Sequence, residues 1–325
     1  MNALALSARG AAALASALVL AAANFAALAA GPALRPQQIS PHCWFVQGGA
    51  GMATAANAAF NSNAGFCVTA AGVVLIDALG TPALGAALDE AVRRTTGKPV
   101  KLAIVTHFHA DHFYGLQIFQ AQGAQIWASG KGRETLGSPF TQERLEQRRR
   151  DLAPYVNAQT RLVPADRWID FGGAREWPFE FGGMKFRLID VGGAHSPEDL
   201  MVWVEGERVL FAGDLYFSGR LPFVGNADTA AWLRAIDVIA PLKPAVVVPG
   251  HGPASRDPAP DLALTREYLA YLRQTMGAAV KELTPFDEAY AKADWSRYAA
   301  LPAFEAANRI NAYGVYLRME QEALK

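Results

Sequence analysis

Several things are scarce in this sequence, and each scarcity removes a class of protein. There are two cysteines among 325 residues, too few for a disulfide framework or a cysteine-built metal knot. Neither sign of charge prevails, with 30 Lys and Arg against 30 Asp and Glu. No basic field is therefore present to hold nucleic acid, and no acidic tail to hold a basic partner. The one like-charged run, Arg148-Arg149-Arg150, has Glu143, Glu146 and Asp151 beside it and reads as a solvated helix face. No Gly-rich nucleotide loop follows a strand, and no short-period repeat or internal low-complexity tract is found. Histidine is rare too, at six, which gives the positions of those six unusual weight.

What is present begins with a long uncharged segment. Residues 10–30 are almost wholly Ala, Leu and Val, ending in Ala27-Leu28-Ala29 and then Gly31-Pro32. The small-x-small ending fits a cleavage site, so residues 1–29 are expected to be a secretory signal peptide rather than a retained membrane anchor. No Arg-Arg pair marks a twin-arginine route. The mature protein is expected to be periplasmic or secreted, with no stable membrane insertion. Export leaves two readings of Cys43 and Cys67, which lie in separate strand-like runs. They are either a disulfide between adjacent strands or two small buried thiols. Neither lies near the histidine motifs, so a metal role is not expected.

Strand-like and helical segments then alternate. Residues 73–77 form a short buried strand; Thr81-Pro82 is an N-cap followed by a first-turn proline. Leu84, Ala87, Leu88, Ala91 and Val92 make a helical stripe that Gly97 closes. Residues 100–106 and 125–128 are strands, and 129–159 are a polar, helical insert. Further strands are expected at 185–190, 200–204, 208–212 and 245–248. A helix capped by Asp228 or Thr229 carries Trp232, Leu233, Ile236 and Ile239 and is ended by Pro241. From Asp261 onward Leu264, Tyr268, Leu269, Leu272 and Met276 repeat at helical spacing. Two successive β-rich then helical halves suggest an α/β sandwich of sheets flanked by helices.

The chemistry concentrates in Thr106-His107-Phe108-His109-Ala110-Asp111-His112, directly after an apolar strand. Three imidazoles and a carboxylate packed this densely are costly unless something pairs them, and they are the donors zinc-like ions prefer. Phe108, Phe113 and Tyr114 flank the cluster as an apolar wall or as core. Two further histidines, His195 and His251, and one carboxylate, Asp214, each sit beside glycine at the end of an apolar run. Only His42 has no ligand-like company.

The order H-x-H-x-D-H, then His195, then Asp214 in A-G-D, then G-H-G at His251 resembles the metallo-β-lactamase superfamily from about His42 to Gly252. The resemblance implies an αββα sandwich with a helical insert and a helical C-terminal region. It implies a catalytic domain over 38–256, a helical extension over 257–325 packed on it, and a site at one edge of the sheets. By position, His107, His109 and His195 would bind one metal, and Asp111, His112 and His251 a second, with Asp214 between them. Asp77 would orient the site without touching metal. Asp214, where secreted lactamases of the superfamily carry Cys or Ser, is similar to the glyoxalase II-type branch. The stretch from His195 to Gly225 is similar to periplasmic members tied to sulfur-oxidation and quinoprotein systems, which carry Gly where Glu198 stands. The implied activity is hydrolysis of a small-molecule thioester, lactone, ester or amide. A hydroxide shared by two Zn2+ (or Fe or Mn) would attack the carbonyl, with Asp111 relaying a proton. The alternatives are a mononuclear iron persulfide dioxygenase and a non-catalytic metal-binding accessory protein.

Overall fold

In the computed structural model, residues 31–324 are described; the expected signal peptide lies outside the described residues. Among the described residues, twelve strands form two sheets. The first has seven strands in chain order: β1 (Gln37–Gln38), β2 (Cys43–Val46), β3 (Ala64–Thr69), β4 (Gly72–Ile76), β5 (Val100–Ile104), β6 (Gln125–Ser129) and β7 (Arg167–Ile169). The second has five, in the order β12 (Val246–Val248), β11 (Val209–Phe211), β10 (Leu200–Val204), β9 (Met184–Asp190) and β8 (Glu176–Phe181).

Alternation along the strands builds the layers. On β4, Val74 and Ile76 share a core with Leu188, Val202, Val204 and Phe211 of the other sheet. Val73 and Leu75 point the opposite way, onto Leu84, Leu88, Val92 and Phe119. The second sheet repeats the pattern, with Met201, Trp203 and Leu210 packed against Trp232, Leu269 and Leu272. The result is helix, sheet, sheet, helix: the expected αββα sandwich.

The helices covering the first sheet are α1 (Pro82–Thr96), α2 (Ala110–Phe113), α3 (Leu116–Ala121), α4 (Gly132–Gly137) and α5 (Pro139–Asp151). Thr81 Oγ1 accepts from Leu84 N, and Gly97 ends α1 in the left-handed region at φ 68°, both as expected. The second sheet is covered by α6 (Thr229–Ile236), α7 (Ala259–Lys281), α8 (Phe286–Lys292) and α9 (Phe304–Ala323). Asp228 is the cap of α6, accepting from Ala231 N. That helix stops at Ile236, before Pro241, which instead sits in a 3-10 turn at Ala240–Leu242.

Three strands went unread in the sequence: β1, of two residues, β7 and β8. β7 has only three residues, and β8, Glu-Trp-Pro-Phe-Glu-Phe, carries a proline and two acids. Proline is tolerated there because β8 is an edge strand, where one side of the backbone needs no ladder partner. No helix of the described residues is long and apolar enough to cross a membrane.

Candidate metal centre

Seven side chains converge where the two sheets meet. Each comes from a strand end or the turn after it. His107 and His109 follow β5 and its extension, Asp111 and His112 lie in α2, and His195 lies between β9 and β10. Asp214 is in the 3-10 turn after β11, and His251 follows β12. Donor atoms of His107, His109, His195 and Asp214 lie within 4.8 Å of one another, as do those of Asp111, His112 and His251. Asp214 stands between the two groups. Its Oδ2 lies 3.3 Å from His195 Nε2 and 3.3 Å from His251 Nε2, and its Oδ1 lies 3.2 Å from His112 Nε2. All the residues singled out as ligands in the sequence are thus brought together. His42 is not among them; it pairs with Glu207 at 2.6 Å.

The hydrogen bonds around this centre fix which imidazole nitrogen faces inward. Asp77, at the end of β4, accepts from Thr106 N and Thr106 Oγ1 and contacts His112 Nδ1 at 2.9 Å. A carboxylate with two donors already bound is an acceptor, so His112 donates from Nδ1 and turns its Nε2 to the centre. Thr106 has given its hydroxyl proton to Asp77, so it accepts from His107 Nδ1 at 3.0 Å, leaving His107 Nε2 as a lone pair. His251 Nδ1 meets the backbone oxygen of Asn61 at 2.7 Å, and its Nε2 is a lone pair by the same logic. Asp77 therefore sets two imidazoles from behind, directly and through Thr106.

Without a cation these groups fit together poorly. His107 Nε2, His112 Nε2 and Asp214 Oδ1 are buried with no hydrogen-bond partner, a costly arrangement for polar atoms. Borderline nitrogen and carboxylate donors, with lone pairs forced toward one place, are what a zinc-like ion takes. The residues present fit a pair of divalent ions.

The electrostatics agree for most of the set. Burial, reinforced by His112 and His109, holds His107 well below the ordinary imidazole range; burial takes His195 down to about 3. Burial would raise Asp111, but His112 and His251 bring it to about 2. Asp214, similarly buried, is held well below its usual value by His251 and His112. Neutral imidazole and ionised carboxylate are the states a metal ligand needs. His112 is the exception: burial lowers it, but Asp214, Asp111 and Asp77 together push it up. Its proton occupies the same negative field that a cation would.

Close approach explains the glycines of the last motif. A Cβ on Gly250 would lie 1.9 Å from Asp214 Oδ1, and one on Gly252, at φ 95°, would lie 1.9 Å from Ser218 O. Only glycine lets His251 and Asp214 share the centre.

Four supporting residues were not legible as site residues. Asn61 Nδ2 donates to Asp111 Oδ2 at 3.0 Å. Asn63 Nδ2 donates to Pro249 O and Gly252 O at 2.9 and 2.8 Å, clasping the His251 turn. Arg220, fully buried, donates to Gly51 O at 3.1 Å and lies 3.4 Å from His251 Nδ1. Burial lowers its pKa, and Asp214 and Asp111 act against that. Asp261 of α7 accepts from Tyr216 OH and Ser218 Oγ beside Asp214. The first two lie in a Gly- and Asn-rich loop whose composition gave only "turn" as a signal.

Glu198, whose effect the sequence left open, is buried. Its Oε1 accepts from Phe108 N at 3.0 Å, between His107 and His109, and its Oε2 accepts from Thr135 Oγ1 of α4 at 2.7 Å. It ties the insert to the metal loop. Phe108, Phe113 and Tyr114 all lie in the core of the helix layer. The arginine run is not the solvated face expected. Arg149 folds back to donate to Asn157 O and Thr160 O, and Arg148 Nε is buried, because the chain after α5 doubles back over the helix end. Cys43 and Cys67 face each other across β2 and β3 and are disulfide-bonded.

Residues 58–251 match the sequence profile of the metallo-beta-lactamase superfamily, a span that contains all seven converging residues. A linear primary-alkylsulfatase of Pseudomonas sp. (strain ATCC 19151) is 27% identical over 232 residues, 59% of this chain and 42% of that protein. A type 2 metallo-beta-lactamase of Bacteroides fragilis is 27% identical over 154 residues, 46% of this chain and 52% of that protein. The chain thus spans about half the length of these relatives. Among solved structures, an inverting sec-alkylsulfatase from Pseudomonas sp. superposes with a TM-score of 0.67 at 18% identity. The superposition covers 89% of this chain and 50% of that one; at that identity the likeness is one of fold.

Proposed function

The chain belongs to the metallo-beta-lactamase superfamily, and on that premise we propose that it is a hydrolase dependent on two divalent metal ions, acting on a small-molecule substrate. The observation that carries this is the convergence on Asp214 of two complete donor groups, with three buried donor atoms otherwise unpartnered. His107, His109 and His195 with Asp214 would hold one ion; Asp111, His112 and His251 with Asp214 the other. When bound, such ions supply Lewis acidity and bring a water's pKa down toward neutrality. Zinc is the proposed metal, because imidazole and carboxylate in this ratio suit it best.

The chain's own residues do the rest. Asp77 and Thr106 hold His112 and His107 in the metal-binding tautomer, and the Asn61 carbonyl does so for His251. Asp111 is the most open of the three carboxylates: its side chain is 21% exposed against 4% for Asp214 and 5% for Asp77. With one oxygen held by Asn61, it is placed to carry a proton to a departing group at its other oxygen. The scissile group is proposed to be a thioester, lactone, ester or amide carbonyl. The glyoxalase II-like branch remains a proposal, resting on Asp at position 214. The disulfide supports an oxidising compartment, consistent with export to the periplasm or beyond.

The test is a panel of thioester, lactone, β-lactam and alkyl sulfate reporters offered to the zinc-loaded protein and to a His109→Ala variant. A sulfate ester is included because one relative bears that name. Turnover of at least one carbonyl reporter, lost in the variant while the fold persists, supports the reading. Equal turnover in the variant sinks it. Oxygen uptake by an iron-loaded form, with every reporter intact, would move the assignment to a persulfide dioxygenase.

A further inference from the structure

Of the five histidines at the metal centre, His107, His112 and His251 are each set by a hydrogen bond on the outward ring nitrogen. His195 is not. Its Nδ1 is buried and has no hydrogen-bond partner among the described residues, while its Nε2 lies 3.3 Å from Asp214 Oδ2. What holds this ring is packing and the backbone beneath it. Trp232 of α6 meets it edge-on, with centroids 5.1 Å apart. Asp228 N donates at 2.9 Å to the carbonyl of Ala194, one residue before the histidine. Asp228 also caps α6, so one residue fixes both supports.

Residues 219–228 lie between the Asp214 turn and α6, and helix α9 grips them. Asn311 of α9 is fully buried and uses both lone pairs and both hydrogens of its amide. Its Oδ1 accepts from Val224 N at 2.7 Å and from Gly225 N at 3.2 Å. Its Nδ2 donates to Pro222 O at 2.8 Å and to Tyr268 OH at 3.0 Å. Asn311 meets the loop only at main-chain atoms, so it fixes the loop's path whatever side chains the loop carries. Helix and loop approach so closely that a Cβ on Gly314 would lie 1.7 Å from Gly225 O. Ala227 N then closes a turn onto Val224 O at 3.0 Å, and the next residue is Asp228, whose carboxylate pairs with Arg318 of α9. A short hydrogen-bonded path thus runs from α9 to the backbone of His195. Helix α9 lies wholly beyond residues 58–251, the span that matches the family.

We propose that Asn311, aided by Arg318, is a positioning residue for His195: α9 holds the 219–228 loop, and the loop holds the backbone and ring support of that histidine. Its consequence for metal binding rests on the two-metal hydrolase reading. It extends the working site into a helix outside the family's own span. Where the other three imidazoles take their aim from an outward hydrogen bond, His195 takes its aim from tertiary packing. Asn308 supplies the contrast. It is equally buried, three residues earlier on α9. Its amide accepts from Tyr268 OH at 2.8 Å and donates to Tyr290 OH at 3.0 Å, so its bonds go to α7 and α8 and none to the loop.

Asn311→Ala and Asn308→Ala, each removing one buried amide from the same helix, are compared with the wild type. Both are expected to lower the thermal midpoint. Only Asn311→Ala is expected to speed amide hydrogen exchange at 194–196 and 220–228 in the zinc-free protein, by about tenfold. Only that variant should also bind one zinc ion about tenfold more weakly, read by competition with a chelating dye. Equal behaviour of the two variants, whether both shift or neither does, overturns the proposal. Faster exchange in Asn311→Ala with zinc affinity as in the wild type overturns it too, because the loop would then hold nothing the metal needs. A wild type that takes up no zinc removes the hydrolase reading instead. Exchange at 194–196 that still follows Asn311 and not Asn308 then keeps the positioning link. Should Asn311→Ala fail to fold, Arg318→Gln, at a half-buried position, replaces it with the same expected outcomes.

Discussion

Three imidazoles of the centre owe their orientation to neighbours that touch no donor atom facing inward. Asp77 is the most consequential, since it holds His112 directly and His107 through Thr106. Replacing Asp77 with Ala is expected to weaken metal binding by roughly 10–100-fold, read by competition with a chelating dye; unchanged affinity would remove its positioning role. Gly250→Ala should do more, because its Cβ would displace Asp214 Oδ1. Metal content in that variant should fall by at least one ion per chain, and a full complement would contradict the shared position of Asp214. At this scale the histidines were legible because three fall within six positions after an apolar strand. Asn61, Asn63 and Arg220 were not, since each acts on a partner more than thirty residues away. Asparagine in a Gly-rich loop and a lone arginine leave no local pattern to read.

Elements carry the next layer of the argument. Inner strands such as β4 and β10 bury both faces, one against the facing sheet and one against helices, so they read as unbroken apolar runs and were found. Edge strands β1, β7 and β8 lack that constraint and were missed. Cys43 and Cys67 join two neighbouring strands that frame the loop carrying Asn61 and Asn63. Closing that 24-residue separation contributes about 3 kcal/mol by the chain-entropy estimate. Cys43→Ser/Cys67→Ser should accordingly lower the urea midpoint, measured beside the oxidised wild type; coincident curves would mean that the crosslink adds nothing to stability. The insert behaves differently from a passive decoration, because Glu198 couples α4 to the backbone of the H-x-H segment. Glu198→Ala is expected to speed proteolytic cleavage within 132–160 and to loosen metal binding together. Faster cleavage with unaltered metal affinity would show that the two are uncoupled.

At the scale of the whole molecule, the centre draws on both halves of the sandwich. His107, His109, Asp111 and His112 come from the first sheet's layer, and His195, Asp214 and His251 from the second. The C-terminal helices join in through Asp261, which braces Tyr216 and Ser218 beside Asp214. Ions shared between the halves would bind the folded chain and not the unfolded one. Saturating zinc at a thousandfold over its dissociation constant should therefore stabilise by about 4 kcal/mol. Thermal unfolding with and without chelator reads this directly, and an unchanged midpoint would deny the ions any part in holding the halves together. The sandwich itself was legible from two repeated β-then-α runs. Which partner each Asp214 oxygen meets was not, because that depends on how two sheets stack.

The most direct test of the central claim is metal stoichiometry, by elemental mass spectrometry, on the purified protein and on Asp214→Ala. Two zinc ions per chain in the wild type, falling to one or none in the variant, is the result a centre shared through Asp214 requires. A single ion in the wild type, undiminished in the variant, would contradict it.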